Sequence, residues 1–97
     1  MYTDELVWDE ENHRHITLRH GITRDQVAEA LGGITLQRGT EMRNRELRIR
    51  LLGRTREGLV LFCVITRPRP GVVRVVTAFP ANRKLRTLFE EYTGARK

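Results

Sequence analysis

Leu47, Ile49 and Leu51 alternate with Arg48 and Arg50. That period of two predicts a strand with one apolar and one basic face. "LVLFCVIT" (Leu59–Thr66) is apolar at almost every position, as a central strand covered on both faces would be. "RPRPG" (Arg67–Gly71) predicts a turn, after which "VVRVVTAF" (Val72–Phe79) returns as another strand. Upstream, Leu6–Trp8 reads as a short first strand and Ile34 with Leu36 as a further short alternation. "TEMRNRE" between them and Leu47 has no period and predicts a polar loop or hairpin tip; "GRTREG" predicts a turn.

Three segments carry helical signals. Asp9 is a suitable N-cap, with Glu10 and Glu11 in the first turn, for a helix running to about Arg19 and closed by Gly21. Thr23 with Gln26 fits a capping box, and Ile22 with Val27 a hydrophobic staple, for a second helix over Ile22–Leu31 that Gly32 and Gly33 stop. Leu85, Leu88, Phe89 and Tyr92 recur at i, i+3, i+4 and i+7, an amphipathic helix with Pro80 suited to its first turn and Gly94 at its end. Helices followed by a run of strands imply an α+β fold, an antiparallel sheet with two N-terminal helices and one C-terminal helix packed on it.

At 97 residues the chain fits one domain, taken here as 1–97. No apolar run reaches the ~20 residues of a membrane span. The start "MYTDELVWDE" lacks an apolar signal core, so a cytoplasmic protein without a membrane role is expected. One cysteine, Cys63, lies inside the apolar run and is expected to be a buried thiol.

Charge sharpens the picture. Eighteen Lys and Arg face 12 acids, for a net charge of +6, and only Lys84 and Lys97 are lysines. The planar guanidinium suits phosphate and carboxylate recognition. Nucleic acid, an anionic surface and an acidic protein all remain open as partners.

The series "WDEEN..HI..HGIT..QV", then "GRT..G", an apolar strand, and "RVVTA" before a basic last helix resembles the BrnT-like toxins of the RelE/ParE superfamily of type II toxin–antitoxin systems. The resemblance spans about residues 6–92. The matching positions are Trp8, Asp9, Asn12, His20, Gly21, Gly53, Arg54, Thr55, Arg74, Thr77, Ala78, Arg83 and Tyr92. In one place the chain departs: Phe79 and Pro80 stand where many relatives continue with an arginine and a polar stretch. The resemblance implies a RelE-like fold with a twisted antiparallel sheet. It also implies a ribonuclease that blocks translation, acting on RNA, free or on the ribosome. A cognate antitoxin, itself a DNA-binding repressor, would neutralise it in a hetero-oligomer. The same fold also serves gyrase-directed toxins, and a basic binding module for RNA or an acidic protein is the non-catalytic alternative.

Metal-free RNA cleavage needs a base for the 2′-OH proton, cations for the charged phosphorane and an acid for the 5′-oxygen. His20, expected at a helix C-terminus, is the candidate acid or base. Arg54, Arg74 and Arg83 are candidate catalytic cations, and Tyr92 is either a core residue or a catalytic phenol. Arg48, Arg50, Lys84 and Arg86 are candidate RNA-binding residues. Arg83, Lys84 and Arg86 open the last helix, where cations oppose the helix dipole, so an anionic ligand there is expected. His13, His15 and His20 have the spacing H-x-H-x4-H; i and i+2 diverge on a helix, so no metal site and no cofactor is expected.

Overall fold

The computed structural model describes residues 5–94. The elements run β1 (Glu5–Trp8), α1 (Glu10–His20), α2 (Arg24–Gly32), β2 (Thr35–Arg43), β3 (Glu46–Arg54), β4 (Val60–Arg69), β5 (Val72–Pro80) and α3 (Arg83–Thr93). The opening Met1–Asp4 and the trailing Ala95–Lys97 lie outside the described residues.

The caps are where the sequence places them. The Asp9 carboxylate accepts hydrogen bonds from the Glu11 and Asn12 amides, and Gly21 closes α1 in the left-handed conformation at φ 67°. Thr23 and Gln26 form both halves of a capping box at α2. α3 differs. Pro80 is the last residue of β5, paired with Leu61, and the helix starts three residues later with Asn82 as its cap. An Asn side chain that bonds the Leu85 amide satisfies a free helix donor, which Pro80 cannot do.

The sheet order is β1-β5-β4-β3-β2. The four long strands β2 to β5 pair antiparallel with one another in sequence order, with the apolar β4 in the centre. β1 corrects the expected antiparallel sheet: it pairs parallel to β5, Leu6 against Val73 and Trp8 against Val75. The sheet is therefore mixed. The alternation of a four-residue strand reports which face is buried and is silent on strand direction.

The expected polar loop at "TEMRNRE" is also corrected. Thr40–Arg43 and Glu46 belong to a β2–β3 hairpin closed by two residues, Asn44 and Arg45, both at positive φ (52° and 65°). This is the primed two-residue turn whose twist matches the flanking strands. The strand was hidden because its side chains are mostly polar. "RPRPG" likewise folds later than expected, since β4 extends through Pro68 to Arg69.

Two cores form, one per sheet face. On the first, Ile16, Ile22, Val27, Ala30 and Leu31 from α1 and α2 pack on Leu51, Leu61, Cys63, Ile65, Val73, Val75 and Ala78. Gly53 fits here because a Cβ would collide with the Ala30 carbonyl. On the second, Phe89 and Leu85 of α3 pack on Leu52, Val60, Phe62 and Leu36.

Candidate functional site

α3 packs on one end of the second face. The other end of that face is built by register. Arg48 lies opposite Glu41, Arg50 opposite Gly39 and Val64, and Thr66 opposite Arg74. Residues directly opposite in a ladder share a face, so Arg48, Arg50, Thr66 and Arg74 emerge together on one side of three adjacent strands.

Arg74 and Glu46 meet there, with Nη2 of Arg74 donating to Oε1 of Glu46 at 2.6 Å. β5 and β3 flank β4, so this ion pair reaches across the central strand. Both side chains keep partial access to solvent, at 26% and 35%. Arg50 leans the other way: its guanidinium lies over Gly39 and donates to the Thr40 carbonyl at 3.3 Å. Gly39, at φ 125° beside a register shift, leaves space for that approach.

Three buried polar atoms of this region have no hydrogen-bond partner among the described residues: Nε of Arg48, Nε of Arg50 and Oγ1 of Thr66. Buried polar groups are paired as a rule. Three exceptions on one face, all able to donate, concentrate unsatisfied donors around Arg48, Arg50 and Thr66.

The other expected residues lie elsewhere. Arg54 is on the same face at the α3 end, with its guanidinium 5.5 Å from the Phe89 ring centre. Arg83 and Lys84 border a hollow of about 630 Å³ together with Arg38, Leu85, Leu88 and Glu91. Arg86 is exposed on the first turn of α3. Tyr92 leaves the core-facing stripe: only Phe89 of α3 is fully buried, and Tyr92 is 57% exposed. α3 meets the sheet through Leu85 and Phe89, and Tyr92 falls outside that apolar contact. His20 ends α1 and packs against Phe79 at 5.5 Å, and Phe79 stacks on Phe62 at 5.1 Å. Phe79 is five residues from Arg74 along β5, roughly 16 Å at ~3.3 Å per residue. The chain thus gathers Arg48, Arg50 and Arg74 and holds His20 apart from them.

His13 sits edge-on to Trp8 at 5.7 Å, and Arg24 lies over the same indole at 5.4 Å. Among the described residues no three His, Cys, Asp or Glu side chains are grouped to hold a metal ion. Burial pushes the Cys63 thiol up to about 12, so it stays protonated.

Three residues of these clusters were not singled out from the sequence. Glu46 fell in the stretch read as a loop. Thr66 closed an apolar run and looked like one more covered position. Arg38 is an isolated cation whose place beside α3 only the β2 bulge reveals. For Glu46 a signal existed: "NR" flanked by charged residues is compatible with a two-residue turn, which puts Glu46 in strand register with Arg48 and Arg50.

Two helices on one face of a five-stranded sheet and a C-terminal helix on the other make this a small α+β domain. Among solved structures the chain is similar to the ribonuclease toxin BrnT of Brucella abortus, at a TM-score of 0.65 and 16% identity, covering 84% of this chain and 100% of that one. At that identity the likeness is one of fold. No protein-family model and no curated protein sequence matches the chain. No helix among the described residues is long and apolar enough to cross a membrane.

Proposed function

We propose that this chain is the toxin of a type II toxin–antitoxin pair and a metal-independent endoribonuclease that lowers translation by cutting RNA. The observation that carries the reading is the open half of the second sheet face, where a carboxylate is paired with one of three clustered arginines. The fold it shares with a ribonuclease toxin supports it.

The chemistry assigned to this face is transesterification. The RNA 2′-oxygen attacks phosphorus, its proton passes to a base, and the 5′-oxygen leaves and takes a proton, giving a 2′,3′-cyclic phosphate and a 5′-hydroxyl. Arg74 and Arg48 supply positive charge where the phosphorane gains negative charge. A phosphodiester that engages Arg74 competes with Glu46 for the same guanidinium, and the released carboxylate stands beside the phosphate as the proton acceptor. Arg50, Lys84 and Arg86 serve backbone contact. His20, with Phe79 and Phe62, serves the flanking nucleotide, and Arg54, Arg83 and Tyr92 act outside the reacting centre. The basic face, at a chain net charge of +6, suits an antitoxin with an acidic segment that covers it, a DNA-binding repressor in a hetero-oligomer with the toxin in the cytoplasm.

The test is labelled single-stranded RNA, free and on ribosomes, incubated with the protein in excess EDTA. Cyclic-phosphate products from wild type, absent with Arg74→Gln, support the reading. RNA left intact in both settings by folded protein overturns it.

A further inference from the structure

The hydroxyl of Thr66 is out of place. Thr66 is 0% exposed and its Oγ1 has no partner among the described residues. A threonine in a strand can usually turn its hydroxyl to a carbonyl or to solvent, and burial of an unbonded hydroxyl is unfavourable. Its location gives that arrangement a purpose. Thr66 lies directly opposite Arg74, and one step further along the β3–β4 register it is level with Arg48. The Arg74–Glu46 pair crosses the very strand that carries it. The unpartnered Nε of Arg48 is a second buried donor on the same face.

We infer that Thr66 is a phosphate-binding residue: its hydroxyl and the Arg48 Nε are donors held in reserve for a non-bridging oxygen of a phosphodiester that displaces Glu46 from Arg74. This rests on the RNA-cleaving reading above and adds to it the atoms that seat the phosphate. The Arg74–Glu46 pair closes the seat in the free protein. When Arg74 turns to the phosphate, the roof over β4 opens and the Thr66 hydroxyl gains the partner it lacks. The hydroxyl donates to an anionic oxygen, so the bond is charge-assisted.

Thr66→Val keeps the shape and removes the donor; Thr66→Ser keeps the donor. Each is compared with wild type in binding of a short 2′-O-methyl oligoribonucleotide, which cannot be cleaved, and in thermal melting. The expected result is an affinity loss of about tenfold for Thr66→Val, the factor that one charge-assisted hydrogen bond brings. Thr66→Ser keeps near-wild-type affinity, and the melting temperature of Thr66→Val is unchanged or raised, because an unsatisfied buried hydroxyl is gone. Equal affinity of wild type and Thr66→Val overturns the inference and leaves the RNA-cleaving reading standing. A Thr66→Val variant that melts lower overturns it as well, since the hydroxyl then serves the free fold. Wild type that binds no oligonucleotide overturns the inference as well, and the RNA-cleaving reading is then judged by the ribosome cleavage assay alone.

Discussion

Arg74 and Glu46 stand 28 positions apart in sequence and on two strands that do not touch, yet their side chains meet at 2.6 Å across β4. Neither strand alone contains the pair. It exists because β4 lies between β3 and β5 and because the hairpin turn sets Glu46 on the same face as Arg48.

That pair separates function from stability. With both side chains partly exposed, the bond contributes about 1 kcal/mol or less to folding. Glu46→Gln and Arg74→Gln are expected to shift unfolding midpoints only slightly while lowering RNA cleavage by roughly 100-fold or more, the range for a general base or a phosphorane-stabilising group. The double variant is expected to lose little more than either single one, because the two act as a unit. Denaturant unfolding and single-turnover cleavage measure the two effects independently.

Gly53 is a packing test of the other face. A methyl group there collides with the backbone carbonyl of Ala30, which a rotamer change cannot relieve. Gly53→Ala is expected to destabilise the protein by about 1–3 kcal/mol, the cost of overpacking, by forcing α2 away from the sheet. Urea unfolding gives the value, and an unchanged midpoint sinks the account of α2 seating.

Arg45 occupies the left-handed region at φ 65° in a turn that favours glycine. Arg45→Gly is expected to stabilise the hairpin by about 0.5–1 kcal/mol by removing the left-handed strain of a residue with a Cβ. The same change at Asn44, which tolerates this conformation better, is expected to gain less. Chemical denaturation of both variants compares them directly.

Cys63 is fully buried, and burial raises its thiol from 9.0 to about 12. A raised folded value means the folded chain holds the proton that the unfolded chain releases. Stability from this group is therefore complete below about pH 9 and is lost as pH climbs toward 12, by up to about 1.4 kcal/mol per unit. Cys63→Ala is expected to be less stable at neutral pH through its cavity and to show a shallower loss between pH 9 and 11. Native protein is expected to resist aromatic disulfide reagents at pH 8 and to react once unfolded.

The sequence by itself determined the local elements wherever the determinant is local. Asp9 with Gly21, and Thr23 with Gln26, bound the first two helices because capping is a matter of neighbouring backbone groups. The apolar run at Leu59–Thr66 announced the central strand because a strand buried on both faces must lack polar alternation. Arg48 and Arg50 were legible as one basic face because successive residues of a strand point to opposite sides of the sheet. Only the tertiary structure decided the direction of β1, whose four residues pattern identically in a parallel or an antiparallel pair. It alone decided that Pro80 ends a strand, because a ladder bond from Ala81 to Val60 continues the sheet past it. The candidate site belongs to the same category. Glu46, Thr66 and Arg74 lie on three different strands, and no periodicity within one strand encodes the register that sets them side by side. That register comes from a two-residue turn and from shifts in the β4–β5 ladder, so charge pattern can nominate arginines but only pairing of the strands chooses which of them share a face.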